Sequence, residues 1–479
     1  MQRAATTITA TDFARRLSIL SDDSLAGRKT GTPGLETAAG YVAAELKALG
    51  LRPAGGANGF VQRYPLRSYR VDVAATTLSL GAGPLVLGKD FGLAPSQKQE
   101  LSAELVYAGQ ARDTARRLPP QVAGKLVAFS LSGAPEPSWN RIMQRVMEAG
   151  RAAGAAGIVF ILDPSVGEGL FAGMRPALAG ERAELPPSPV LALPSTAVAP
   201  AFAAAGQPLD SLRQALTGDA APIATGITIT LRQPLTIREE SVPNVVALLR
   251  GSDPVLRDQY VVVSAHMDHV GVGRPDEHGD SIYNGADDNA SGTVALLEIA
   301  RAFRALPQPP ARSILFLAVS GEEQGLRGSD HWVANPTIPL ERVVADVNLD
   351  MVTRNAPDSI AVLGQELSSL GTTVQALAMA HPELRLTIPP GNPWPQIALI
   401  EMSDQLPFLH AGVPSVFFFS GMHPDLHRPS DELARCDTDK GARAARLAFL
   451  LAHATAQAAA RPSWTEEGRR AFPPRASGN

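Results

Sequence analysis

Beyond Val242 the chain alternates short, almost wholly apolar runs with helix-patterned runs, and most of the apolar runs lead into a histidine or a carboxylate. Five apolar runs read as strands, at 244–249, 260–264, 313–319, 343–349 and 414–419. Helical spacing reads at 291–306, 326–334, 367–380, 403–411 and 440–458. Strands that are apolar throughout are buried on both faces, and strands separated by helices pair in parallel. The pattern predicts an α/β fold with a mostly parallel, mixed sheet covered by helices on both faces. In such sheets ligands gather beyond the carboxyl ends of the strands.

Metal-type side chains stand at those ends. His266 follows the 260–264 run almost directly, and Asp350 follows 343–349 directly. Glu322 and Glu323 come after 313–319, and His427 lies in the loop beyond 414–419. Asp287 and Asp288 sit just before the helix expected at 291. Taken singly, each has an ordinary explanation. An H-x-D pair is common on surfaces, and acidic residues at a helix start serve as caps or dipole partners. Asp350 could be neutralised by Arg354, and His423 competes with His427. Taken together, one His, a bridging Asp, a Glu, an Asp and a second His supply five ligands for two metal ions about 3.5–4 Å apart. Which of Asp287 and Asp288 bridges is open at this level. Adjacent glutamates diverge, so one can ligate while the other takes a proton, and Glu322 is placed to be the general base. Asp268 is placed to fix the second ring nitrogen of His266. Oxygen and imidazole ligation without thiolates suits zinc, with Mn²⁺ or Co²⁺ as substitutes.

A chain of 479 residues exceeds one ordinary core, so more than one domain is expected. The expected division is an N-terminal part of the catalytic domain at 1–75, an inserted domain at 76–238 and the main catalytic part at 239–479. Two helices read within 8–50, and extended segments follow at 61–80. Inside the insert, strands at 125–130 and 158–161 flank a helix at 141–153, which describes a small α/β unit with no nameable site. The insert is expected to be structural cover more than a lid. A net charge of −4 with no basic cluster argues against nucleic acid as a partner. The single cysteine, Cys436, rules out an intramolecular disulfide. No run of 18 apolar residues suggests a membrane span. The start, MQRAATTITATD, lacks the apolar core of a signal peptide. The tail after Arg461 is expected to be poorly ordered.

These motifs resemble the co-catalytic zinc exopeptidases of metallopeptidase family 28, the aminopeptidase type. The resemblance spans 241–435 through "SAHMDHVG", "GDSIYNGADDNASGTVALLEIARA", "SILFLAVSGEEQGLRGS", "VNLDMV" and "DLHRPSDE". The segment "LSDDSLAGRKTGTPGLETAAGYVAAELKALGLRPAG" is similar to the family's opening helices, and the insert resembles a protease-associated domain. By resemblance, His266 and Asp350 hold one zinc, Glu323 and His427 the other, and Asp288 bridges the two. Asp268 would orient His266, and Glu322 would be the general base. Where many relatives carry a tyrosine, this sequence has Leu426 before His427 and Ile400 upstream of Ser403-Asp404-Gln405. The implied function is a two-zinc exopeptidase, an aminopeptidase acting on peptides. The alternatives are a carboxypeptidase of glutamyl-type peptides, a glutaminyl cyclase, or a non-catalytic binding protein on the same fold. A periplasmic or secreted location is expected, with a cytoplasmic one as the alternative. Oligomeric state is not legible in the sequence.

Overall fold

The computed structural model describes residues 1–473 apart from 82–83, 112–116, 132–137, 164–184, 217–220, 392 and 394–398. The chain divides into two compact units, Met1–Leu66 with Glu240–Asn479, and Arg67–Glu239.

The first unit is built on an eight-stranded sheet. Its four inner strands run Ser313–Val319, Tyr260–His266, Val343–Leu349 and Ser415–Phe419, parallel to one another. Antiparallel strands close both sides, Leu235–Leu249 beside Ser313–Val319 and Ala361–Leu363 beside Ser415–Phe419. Alternate residues of one strand feed two different cores, as the period of two requires. Val261, Val263 and Ala265 pack into the larger core, while Val262 packs with Leu315, Leu317, Trp332 and Phe408 on the opposite face. Helices Ala10–Leu20, Gly292–Arg304 and Thr438–Gln457 supply the larger core. The shorter helices Arg327–Ala334 and Gln405–His410 cover the other face. The expected mixed sheet with helices on both faces is therefore observed.

Local chemistry sets the helix ends. Thr9 Oγ1 accepts from the Asp12 N–H at 3.1 Å, Pro33 opens Pro33–Ala48, and Asp437 accepts from the Lys440 N–H at 2.9 Å. The tail departs from expectation over 462–473, and 474–479 lie outside the described residues. Past Arg461 it forms the helix Glu466–Ala471, capped by Thr465 Oγ1 on the Gly468 N–H at 3.0 Å. Thr465 also donates its N–H to Leu367 O at 2.9 Å, so backbone pairing with the body holds the tail where hydropathy gave no signal.

The second unit has its own eight-stranded sheet. Strands Glu100–Gln110, Leu126–Leu131, Gly157–Leu162 and Val190–Pro194 are its parallel centre. Val159 and Ile161 face a core with Phe202 and Leu212, from the helices Ser195–Ala204 and Leu209–Ala215. Ile158 and Phe160 face another with Val146, from Ser138–Ala152. It is an α/β unit with cores on both faces of its sheet. Among the described residues, no helix of either unit is long and apolar enough to cross a membrane.

A buried charge network ties three helices of the first unit together. Glu298, with a fully buried side chain, pairs with Arg16 and lies 2.6 Å from Arg301, while Arg16 also reaches Glu45 at 2.6 Å. Burial pushes the Glu298 carboxyl up, and the two guanidiniums pull against it. Removing one partner of a buried pair costs about 3–5 kcal/mol because the remaining charge is stranded. Arg16 would keep Glu45, so Glu298→Ala is expected to lose about 3 kcal/mol in urea unfolding. A loss under about 1 kcal/mol would show that the network contributes little.

Candidate metal centre

Parallel register brings the predicted residues to one edge of the sheet. His266 is the last residue of its strand and is level with Val319, so the Glu322–Gln324 turn lies beside it. Leu349 is level with Phe418, and Asp350 donates its N–H to Phe418 O at 3.1 Å. Glu322 and Glu323 sit between two left-handed glycines, Gly321 (φ 74°) and Gly325 (φ 93°). A Cβ at Gly321 would come within 2.7 Å of the Tyr64 hydroxyl, so the sharp turn requires glycine there. Asp287 and Asp288 lie in the kinked turn Ala286–Ser291 that leads into Gly292–Arg304.

Two groups of donors result, both within the first unit. His266, Asp288 and Asp350 form one, and His269, Asp288, Glu323 and His427 form the other. Asp288 belongs to both. Its Oδ1 lies 3.6 Å from His266 Nε2, and its Oδ2 lies 3.1 Å from His427 Nε2. His266 Nε2 is also 3.3 Å from Asp350 Oδ1, and His427 Nε2 is 3.0 Å from Glu323 Oε2. Asp287 turns away. Its Oδ1 accepts from Thr353 N–H at 2.8 Å and Thr353 Oγ1 at 2.5 Å, and its Oδ2 lies 3.4 Å from His423 Nε2. His423 thus sits with Asp287, outside both groups. Arg354 does not neutralise Asp350; it pairs with Asp425 at 2.5 Å.

Glu322 stands off both groups, with Oε2 3.9 Å from His266 Nε2. Burial pushes its carboxyl well above the usual range, His266 opposes the rise, and Asp350, Asp404 and Glu323 add to it. Glu323 is buried too, but hydrogen bonds from His269 and His427 hold its carboxyl far below the usual value. Hydrogen bonds to Asp288 and Glu323 push His427 up to about 10. Burial would lower His266, but Asp350 and Glu322 outweigh it and raise the imidazole well above its ordinary value. His266 Nε2 and Asp350 Oδ1 are buried with no hydrogen-bond partner among the described residues. Facing orphaned donors amid crowded carboxylates fit a bound cation, which would satisfy both atoms and neutralise the charge.

Supporting contacts orient the set. His266 Nδ1 lies 3.7 Å from Asp268 Oδ1 and 3.2 Å from Asp268 O, and Thr30 Oγ1 donates to Asp268 Oδ2 at 2.7 Å. Ser403 Oγ donates to Asp350 Oδ2 at 2.8 Å. Asp431 accepts the N–H of Asp288 at 3.0 Å and of Asp287 at 3.1 Å, which fixes the turn that carries the shared carboxylate. Burial beside Asp287 pushes Asp431 up to about 6. Arg28, wholly buried, donates to Met267 O at 2.9 Å, Asn284 O at 2.7 Å and Gly285 O at 2.9 Å, and also to Leu20 O. Burial lowers its guanidinium to about 10, against the pull of Asp288 and Asp268. Sequence reasoning gave no role to Arg28, His269 or Asp431. The signals were present, since Arg28 lies in "AGRKTG", His269 in "HMDH" and Asp431 in "RPSDE".

A cavity of about 230 Å³ opens onto these groups. Glu322, Glu323 and Asp350 form its acidic side, and Met351, Leu399, Phe417, Phe419, Met422 and Leu426 form an apolar wall. Among the described residues, none that lines it is Lys or Arg. Leu426 is therefore part of the apolar wall, next to His427.

Residues 244–452 match the sequence profile of Peptidase family M28, a span that includes every donor above. Aminopeptidase YwaD of Bacillus subtilis is 28% identical over 191 residues, covering 38% of this chain and 37% of that protein. A probable zinc metalloprotease of Pyrenophora teres f. teres is 38% identical over 113 residues, 23% of each chain. A probable glutamate carboxypeptidase AMP1 of Arabidopsis thaliana is 29% identical over 206 residues, 41% of this chain and 27% of that protein. The chain thus spans well under half the length of the curated relatives it matches. Among solved structures, an aminopeptidase from Aneurinibacillus sp. strain AM-1 superposes with a TM-score of 0.55 at 20% identity, covering 96% of both chains. The zinc aminopeptidase BSAP from Bacillus subtilis gives 0.51 at 20% identity, covering 93% of this chain and 94% of that one. The fold is shared with both.

Arg28 joins the loop after His266 to the turn before Asp288. Lysine has three donors and no fork, so it cannot serve four carbonyls. Each buried acceptor left unpaired costs about 1–3 kcal/mol. Arg28→Lys is expected to lose at least that much in urea unfolding. An unfolding free energy within about 0.5 kcal/mol of native would show that the carbonyls do not depend on this fork.

Proposed function

We propose that this chain is a two-zinc exopeptidase that removes N-terminal residues from peptides. The carrying observation is the Asp288 carboxylate, whose two oxygens face two separate donor groups, with Glu322 3.9 Å from His266 and in neither group. His266 and Asp350 would hold one ion, Glu323 and His427 the other, and Asp288 would bridge. When bound, the metals supply a water acidic enough to attack at neutral pH and polarise the scissile carbonyl. Glu322 takes the proton of the attacking water and returns it to the leaving amine. Its raised affinity for a proton suits both halves of that transfer. Asp268 holds the His266 ring through Nδ1, and Thr30 holds Asp268.

The cavity supports an aminopeptidase over a carboxypeptidase. Its acidic side suits a substrate ammonium, and among the described residues its lining offers no Lys or Arg for a terminal carboxylate. The apolar wall suits a bulky apolar N-terminal side chain. Relatives called aminopeptidases favour the same reading, while the Arabidopsis relative keeps the glutamyl carboxypeptidase as the alternative. Unit Arg67–Glu239 is proposed to be a protease-associated domain, on its α/β sheet and its place ahead of the first ligand strand. A periplasmic or secreted location rests on the family resemblance.

Glu322→Gln is expected to lower kcat by about 10²–10⁴-fold while zinc content stays native, because Glu322 is a base and not a ligand. Glu323→Gln should instead lower zinc content. The opposite pattern in the two variants would exchange their roles. Leucine p-nitroanilide should be cleaved and its N-acetyl form should not, and dialysis against a chelator should abolish the activity until zinc is returned. Faster cleavage of an N-acetylated peptide with a free C-terminus than of the same peptide with a free amine would favour the carboxypeptidase.

A further inference from the structure

His269 has no part in the five-ligand set, yet its side chain is wholly buried against that set. Its Nδ1 lies 2.8 Å from Glu323 Oε1 and 3.5 Å from Asp288 Oδ2. From the opposite side, His427 Nε2 reaches Glu323 Oε2 at 3.0 Å and the same Asp288 oxygen at 3.1 Å. The two rings stand edge to face with centroids 5.4 Å apart. One donor atom from each of His269, Asp288, Glu323 and His427 lies within 4.8 Å of all the others. The His269 ring is held in place. The His269 backbone N–H donates to Arg28 O at 3.3 Å, and a Cβ at Gly285 would come within 2.5 Å of the ring, so glycine makes room for it.

The geometry points to His269 as a sixth metal ligand. One ion then has a closed set of four protein ligands, His269, Asp288, Glu323 and His427. The other has three, His266, Asp288 and Asp350. This assignment rests on the two-metal reading above. The rival role is a hydrogen bond from His269 that orients Glu323 without touching an ion. A single N–H serves one carboxylate, and here Nδ1 faces two from different chain segments, as does His427 Nε2. A cation serves all four donors at once.

The consequence is an unequal pair. Four protein ligands make a closed, tightly held zinc site, and three leave a position for water or substrate. Zinc held by His269, Asp288, Glu323 and His427 would be the more tightly held of the two. Both groups border the cavity, through Glu323, His427 and Asp350, and the group with three ligands, next to Glu322, is the one that keeps a position free.

Full-length protein stripped of metal and titrated with zinc against a chromophoric chelator tests this. Native protein should bind two ions in distinct steps. His269→Ala and His269→Gln should each weaken the tighter step by more than about 100-fold, beyond the 10–100-fold typical of an orienting partner. Glutamine can still hydrogen-bond Glu323, so its recovery to within about tenfold of native would overturn ligation in favour of orientation. Unchanged affinity in both variants, or two equal steps in native protein, would also overturn it. Native protein that binds no ion at all removes the two-metal reading itself, which separates the two failures. A measurement without variants stands beside these. One equivalent of Co²⁺ in native protein should give the intense visible absorption of a four-coordinate ion, and the weak bands of a six-coordinate ion would overturn the closed set.

Discussion

Asp288, Glu322, Glu323 and Asp350 arrive from three different chain segments and meet in one buried pocket. Like charges this close cannot all ionise without compensation. The protein supplies three imidazoles, from His266, His269 and His427, and one deeply buried guanidinium, Arg28. Burial and crowding push Glu322 toward protonation, while paired imidazoles keep Glu323 ionised. The two adjacent glutamates are thus driven apart in proton affinity by their surroundings alone. One becomes suited to proton transfer and the other to holding a cation.

Arg28 does more than offset charge. Its guanidinium ties carbonyls on both sides of the site, Met267 from the His266 loop and Asn284 with Gly285 from the Asp288 turn. Asp431 restrains the same turn from the other side through two backbone N–H groups. The shared carboxylate is therefore positioned by main-chain contacts to a buried cation and a buried anion. Its own side chain stays available to the two donor groups. Carboxylate orientation of this kind needs a rigid support, because a bridging ligand displaced by an ångström serves only one ion.

The strand ends were legible because buried parallel strands are apolar along their whole length, and the next polar residue stands out. That logic reached His266, Asp350, Glu322, Glu323 and His427. Residue chemistry alone could not separate Asp287 from Asp288, since adjacent residues at a helix start share the same local signal, and only the family resemblance singled out Asp288. The kink at Ala286–Ser291 turns one toward Thr353 and the other toward both donor groups. Arg28 was hidden for another reason. Its partners are backbone carbonyls distant in sequence, and carbonyls carry no residue code.

The helical tail Glu466–Ala471 escaped notice similarly, since its anchors are main-chain bonds at Leu367 and a Thr465 cap. The sequence by itself determined the α/β class, the largely parallel pairing of the helix-separated strands and the chemistry of the donor set. Periodicity and side-chain type act locally and survive in one dimension. Only the tertiary structure decided that Arg354 belongs to Asp425, that His423 pairs with Asp287, and that His269 joins the pocket. Those choices depend on distances between segments far apart along the chain, and packing sets such distances.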